Sequence, residues 1–185
     1  MKVKYGVVLA GGKSSRMRKD KALLPFQGYK TLTAFQYQKL QSIFGNVYIS
    51  AKEDKFGGEF ELILDSQKIY SPLIAIKSIL QELNAPFFLI GVDMPLVSSE
   101  AIKKIVDSFD MKAEVIIAKG KILEPLCGVY TPKLLPKINQ LLLEENHKLN
   151  YLLKISDTLK VEVDPREFVN LNYFQDYQNL IKKEI

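Results

Sequence analysis

Apolar and polar positions alternate in blocks along this chain, and the period changes from block to block. Short, mostly apolar runs at residues 5–9, 47–51, 61–64, 87–92 and 114–118 predict strands. The run Phe87-Phe88-Leu89-Ile90-Gly91-Val92 has no polar alternation, as expected of a strand covered on both faces in the centre of a parallel sheet. Between these runs apolar residues recur three and four apart. Leu32, Phe35, Leu40 and Ile43 form such a stripe across 32–44. Leu73, Ile76, Leu80 and Leu83 form another after Ser71-Pro72, and Ile102, Ile105, Val106 and Phe109 a third after Ser98. Leu134, Leu135, Ile138, Leu141 and Leu142 follow Thr131-Pro132 in the same way. Ser71, Ser98 and Thr131 occupy N-cap positions, with Pro72 and Pro132 in the first turn. A last helix spans 173–183. The strictly alternating Leu159-Lys160-Val161-Glu162-Val163 predicts a half-exposed strand at a sheet edge. The stretch 52–59, with Gly57-Gly58, reads as a surface turn.

Alternating strands and helices predict an α/β fold: a single domain over 1–185, doubly wound, with a mostly parallel sheet and helices on both faces. The length, 185 residues, suits one domain with a full core. No apolar run approaches a membrane span, and none of signal-peptide type precedes the first strand. A cytoplasmic monomer with no membrane partner is the expectation. Cys127 is the only cysteine and His147 the only histidine, which excludes an intramolecular disulfide and leaves little material for a histidine metal cluster or a Ser-His-Asp triad. Cys127, between Leu126 and Gly128, reads as buried packing rather than as a nucleophile.

Charge sharpens the picture. The chain carries a net +5, and +4 of it lies in one stretch, where Lys13, Arg16, Arg18, Lys19 and Lys21 are opposed only by Asp20. That stretch follows Leu9-Ala10-Gly11-Gly12 at the end of the first predicted strand. Glycines there let a ligand approach the backbone, and clustered cations suit phosphate groups. Neither the Walker A spacing nor Gly-x-Gly-x-x-Gly is present. Nucleic-acid binding is not expected, because the positive charge sits in one loop rather than along a helix face.

In open parallel sheets, ligands bind beyond the carboxyl ends of the strands. That rule selects Gly11 and Gly12 after the first strand, Asp65 after the third and Asp93 after the fourth, and predicts that they share one edge. Asp65 has two readings: a cap for the turn before Ser66, or a ligand contact. Asp93, between an apolar strand and Met94-Pro95, reads as a metal anchor. Carboxylates beside a polyphosphate call for a divalent cation, and Mg²⁺ takes one or two carboxylates plus phosphate oxygens.

These residues resemble the MobA family of molybdenum cofactor guanylyltransferases, within the wider nucleotidyltransferase superfamily. The family opening is matched by Leu9-Ala10-Gly11-Gly12, Arg16-Met17 and Asp20-Lys21, continuing through Leu23-Leu24 and Gly28. Asp93-Met94-Pro95, the segment Pro125-Leu126-Cys127-Gly128-Val129-Tyr130, and Phe168-Val169-Asn170-Leu171-Asn172 match later motifs, so the likeness spans nearly the whole chain. The resemblance implies a Rossmann-like nucleotidyltransferase fold and transfer of GMP from GTP to the phosphate of molybdopterin, giving the guanine dinucleotide cofactor and pyrophosphate. By position, it implies that Leu9, Ala10, Gly11 and Gly12 hold the nucleotide, with Lys21 on phosphate and Asp65 on the nucleotide. It further implies that Asp93 binds Mg²⁺, Arg16 neutralises the triphosphate, and Asn170 and Asn172 face the pterin. Transient contact with molybdoenzymes or other cofactor-biosynthesis proteins is implied likewise. The chain departs from the family pattern at Arg18, Ser50 and Ser71, where glycine, asparagine and glycine are usual. A related cytidylyltransferase, a sugar- or alditol-phosphate nucleotidyltransferase, and a non-catalytic cofactor carrier are the alternative readings.

Overall fold

In the computed structural model, residues 3–12 and 20–182 are described. Seven strands form one sheet: β1 (Tyr5–Leu9), β2 (Asn46–Ala51), β3 (Leu62–Leu64), β4 (Phe87–Gly91), β5 (Val115–Lys119), β6 (Leu123–Tyr130) and β7 (Thr158–Glu162). Their order is β3-β2-β1-β4-β6-β5-β7. The pairs β1–β2, β2–β3, β1–β4 and β5–β7 are parallel, and β6 runs antiparallel to both of its neighbours. The mostly parallel, single-sheet architecture agrees with the pattern of the sequence, and β7 lies at an edge as its alternation implied.

Among the described residues six α-helices cover the sheet: α1 (Leu32–Gln41), α2 (Pro72–Leu83), α3 (Ser99–Asp107), α4 (Leu135–Leu143), α5 (Leu149–Ile155) and α6 (Phe174–Lys182). Two apolar clusters form, one on each face. Side chains of α1, α3 and α6 pack in one, and those of α2, α4 and α5 in the other. All five residues of β4 are buried, because both clusters close over it.

The structure corrects the sequence reading in places. Strand β6 was not expected; its Glu124 and Pro125 break any apolar alternation. Proline cannot donate to a ladder, and Pro125 is accommodated because the register with β5 jumps from Ile117↔Gly128 to Ala118↔Glu124. Helix α5 was also missed, since Lys148 at its start provides no side-chain cap. Ser71 stands at the N-cap position of α2, but its hydroxyl makes no cap hydrogen bond. It lies 3.0 Å from His147 Nδ1 instead. The Thr131 hydroxyl likewise turns away from its helix and donates to the Glu114 carbonyl at 2.8 Å. Ser98 caps α3 as its position indicated, accepting from the Ala101 N–H at 3.1 Å.

The chain leaves β1 toward β2 and β3 on one side, then crosses to β4 on the other. The carboxyl ends of β1 and β4 therefore border the crevice where the winding reverses, the place where doubly wound sheets bind ligands.

Candidate active site

Beyond β1 the backbone runs through Ala10, Gly11 and Gly12. The Ala10 N–H donates to the Ser50 carbonyl at 2.9 Å, which holds this turn against β2. Neither glycine is forced by backbone geometry, for neither has a positive φ. Among the described residues a Cβ on Gly12 would meet nothing within 4 Å, so packing against them does not call for glycine there. A Cβ on Gly11 would lie 3.7 Å from Asp65 Oδ2.

Two cavities flank this turn, and Leu9 and Gly12 line both. The larger, about 240 Å³, is bordered by Gly11, Asp65, Lys52, Tyr70 and the start of α2. Asp65 is delivered by the end of β3, its N–H donating to the Ala51 carbonyl at 3.0 Å. The Ser66 N–H donates to the Ser78 hydroxyl at 2.9 Å, so Asp65 is not needed as a turn cap. Its Oδ1 is buried with no hydrogen-bond partner. Burial pushes its proton affinity above the ordinary carboxyl value, with the Lys52 charge and the nearby Ser50 hydroxyl pulling the other way. A carboxylate so placed is an acceptor looking for donors. Lys52 stands over the ring of Tyr70, 3.9 Å from its centroid, and donates to the Lys68 carbonyl at 2.6 Å.

The smaller cavity, about 60 Å³, holds Lys21 and Asp93. Lys21 begins a 3-10 turn over Lys21–Leu23, capped by the Asp20 carboxylate accepting from the Ala22 N–H. Its Nζ lies 2.7 Å from Asp93 Oδ2, and the two side chains are only 16% and 18% exposed. The same Nζ reaches the Leu171 carbonyl at 3.4 Å. Gly91 is needed here: a Cβ on it would sit 2.7 Å from Asp93 Oδ1. The Leu171 N–H donates to the Asp93 carbonyl at 3.0 Å, which ties the Asn170-Leu171-Asn172 segment to the site although it lies far along the chain.

The expected edge is thus assembled. Leu9, Ala10, Gly11, Gly12, Lys21, Asp65 and Asp93 border these two adjoining cavities. Arg16 lies outside the described residues. Asn170 is half-buried beside Glu124, its Oδ1 buried without a partner. Asn172 differs: its side chain is exposed and its N–H is taken by the Asp176 carboxylate at 3.1 Å.

Three site residues escaped the sequence reading. The stretch read as a surface turn supplies two of them, Lys52 and Lys55. Lys55 donates to the Ala10 carbonyl at 2.9 Å and to Asp20 Oδ2 at 2.5 Å, joining both ends of the glycine-rich loop. No motif signalled it. The third is Glu124, buried on β6. It lies three residues before Cys127, which pairs with Ile90, and close enough to Asp93 to feel its charge. Burial holds its carboxyl above the ordinary value, the Asn170 amide opposes this, and Asp93 adds to it. A lone acidic residue beside Pro125 was its only trace in the sequence.

Cys127 is fully buried and burial pushes its thiol far up, which removes it as a nucleophile. Among the described residues no three His, Cys, Asp or Glu side chains cluster as a metal cage. A cation here would need ligand oxygens from a substrate, and the fit to Mg²⁺ is of that kind: the Asp93 carboxylate, with the unpartnered Asn170 Oδ1 as a neutral donor.

A twisted, doubly wound sheet with a glycine turn, a lysine and a carboxylate at its switch point defines a nucleotide-handling enzyme that works on phosphates. Comparison with known proteins agrees. Residues 6–161 match the MobA-like NTP transferase domain. The chain is 39% identical to the molybdenum cofactor guanylyltransferase of Campylobacter jejuni subsp. doylei, over 93% of this chain and 92% of that protein. It is 33% identical to the enzyme of the same name from Helicobacter pylori, over 93% and 89%. The solved structure of molybdopterin-guanine dinucleotide biosynthesis protein A from Archaeoglobus fulgidus superposes with a TM-score of 0.82 at 20% identity, covering 98% of this chain and all of that one, a likeness of fold. The chain belongs to the MobA-like NTP transferase family and is a nucleotidyltransferase.

Proposed function

We propose that this enzyme transfers a guanylyl group from GTP to the phosphate of molybdopterin, with Mg²⁺, releasing pyrophosphate. The observation that carries this reading is the partly buried pair of Lys21 and Asp93, 2.7 Å apart, beside a glycine turn that leads into the Asp65 cavity. The relatives' names point to the same chemistry.

The division of labour follows from the two cavities. Guanine presents N1–H and its 2-amino group side by side, and a carboxylate can accept from both. The buried, unpartnered Asp65 oxygen supports that pairing. Cytosine offers no such donor pair, so Asp65 favours GTP over CTP. Tyr70 with Lys52 above it forms a flat, cationic wall to the same cavity. Leu9, Ala10, Gly11 and Gly12 hold the nucleotide through backbone groups.

On the phosphate side, Lys21 offsets negative charge on the triphosphate, and Arg16 is proposed to do the same. Asp93 and the Asn170 carbonyl would hold Mg²⁺, which when bound supplies charge neutralisation and orientation of the phosphates. The attacking oxygen belongs to a phosphate and is already anionic, so no general base is required. The chain's task is alignment: acceptor oxygen, α-phosphorus and leaving pyrophosphate in line, with donors aimed at the developing charge. Asn170 and Asn172 are proposed to meet the acceptor.

The test is direct. The purified protein is given molybdopterin, Mg²⁺ and labelled GTP, and the dinucleotide product and pyrophosphate are measured. Turnover with GTP and not CTP is expected. CTP turnover without GTP turnover, or binding of molybdopterin with no turnover of either, would overturn the reading.

A further inference from the structure

Helix α1 buries a row of polar side chains that the reaction itself does not use. Thr33 and Gln36 are both fully buried, and Lys39 follows at the same spacing of three, so the three lie along one side of the helix. Each donates to main-chain oxygens of a turn that belongs to the active site. The Thr33 hydroxyl donates to the Ala22 carbonyl at 2.8 Å, inside the 3-10 turn that begins with Lys21. The Gln36 amide donates to the Met94 carbonyl at 2.9 Å and reaches the Gly91 carbonyl at 3.4 Å. Lys39 donates to the carbonyls of Pro95 and Val97 at 2.6 and 2.9 Å. Four carbonyls bracketing Asp93 and one beside Lys21 are therefore held by a single rigid element.

Burying these groups is costly unless each finds a partner. Apolar residues would have packed this side of the helix at less expense. What the donors add is geometry. Ala22 belongs to a segment early in the chain and residues 92–97 to one some 70 positions later; the β1–β4 ladder ends at Gly91, and no strand ladder includes Ala22 or residues 93–97. Beside the Lys21–Asp93 contact itself and the Leu171 main chain that meets both residues, α1 is a helical support common to the two turns. The N–H of Leu32, the first residue of α1, adds a further tie by donating to the Leu24 carbonyl at 2.6 Å.

We propose that Thr33, Gln36 and Lys39 are positioning residues that set Lys21 against Asp93 and so fix the span across which phosphate and metal are held. The functional part of this claim rests on the reading of Lys21 and Asp93 given above. The base cavity is built on the other face of the sheet from β3 and α2, so these residues should act on metal use and turnover and spare recognition of the base.

Variants Thr33→Val, Gln36→Met and Lys39→Met remove donors at nearly constant shape, and Lys39→Arg restores donors. In the Gln36 and Lys39→Met variants, kcat should fall and the Mg²⁺ concentration for half-maximal turnover should rise, each roughly tenfold, with KM for GTP within about twofold. Lys39→Arg should recover most of the loss. A merely structural role would lower the folded fraction and leave the Mg²⁺ dependence where it was. Hydrogen exchange by segment supplies a readout that needs no turnover. Exchange over 91–97 should quicken roughly tenfold in Gln36→Met, and over 20–24 in Thr33→Val, with 72–83 unchanged in both. Unchanged exchange in the site turns, or Mg²⁺ dependence equal to that of the unaltered protein, would overturn the proposal. If the unaltered protein fails to use GTP, the reading of function falls, and the exchange rates still decide whether α1 fixes the two turns.

Discussion

Helices α1 and α2 flank the same strands from opposite faces, and they are built on opposite principles. Helix α2 buries Leu73, Ile74, Ala75, Ile76, Ile79 and Leu80. Its one buried polar side chain, Ser78, donates to the Ile74 carbonyl of its own helix at 2.9 Å and beyond the helix meets only Ser66. Helix α1 buries Leu32 and Leu40 but also Thr33 and Gln36. The first is held by area, the second partly by direction. Non-directional burial tolerates small shifts, whereas a donor aimed at a carbonyl does not. One sheet thus combines a face packed by apolar area, which also walls the Asp65 cavity, with a face whose helix aims donors at the turns carrying Lys21 and Asp93.

That contrast can be broken from either side. Removing the anchor itself should have the largest effect. Asp93→Ala is expected to lower turnover about 10³-fold with the fold intact, measured as dinucleotide formation and by circular dichroism. Near-normal turnover would separate Asp93 from the chemistry. On the apolar helix the penalty should move from rate to stability. Leu73 is fully buried, and Leu73→Ala should cost about 2–5 kcal/mol in denaturant unfolding, while kcat per folded molecule stays unchanged below the melting range.

Lys39 gives the polar helix a pH signature. Burial lowers its pKa from 10.5 to about 8, against the opposing influence of Cys127 and Glu167. Between those values the folded protein has released the proton and the unfolded chain still holds it. Stability should therefore rise with pH through that window, by about 3 kcal/mol, and below it the full cost of the buried charge remains. Lys39→Met should flatten this slope in unfolding curves taken from pH 7 to 10.5. The smallest expected effect lies in the base cavity. Asp65→Asn should raise KM for GTP about tenfold with little change in kcat, since an amide cannot accept from both guanine donors. In the unaltered protein GTP affinity should weaken as pH falls toward the raised Asp65 value, and the asparagine variant should lose that dependence.

How much of this could be read beforehand depended on whether a residue's environment leaves a mark on its neighbours. Strand β4 was plain because two apolar layers demand an unbroken apolar run. Gly11, Gly12, Lys21 and Asp93 were plain because strand ends and glycines mark a ligand edge in sequence as in space. Asp65 kept two readings until Ser78 was seen to take the turn that Asp65 might have capped. Gln36 and Thr33 were illegible for a different reason. A polar residue on a helix looks solvent-facing, and only the carbonyls it meets, from segments distant in sequence, show otherwise. Lys55 and Glu124 share that property, and β6 was hidden by the same Glu124-Pro125 pair that the irregular register with β5 accommodates.

The strap from Leu171 to Asp93 carries a consequence for biosynthesis. Lys21 and Asp93 leave the ribosome early, yet the main-chain partner that spans both belongs to a segment made much later, and the Tyr177 hydroxyl then secures the Pro25 carbonyl at 2.5 Å. A nascent chain can form β1 through β4 and still lack this closure. The contacts that tie Lys21, Asp93 and Pro25 to the last part of the fold therefore form only once residues 171–177 have been made.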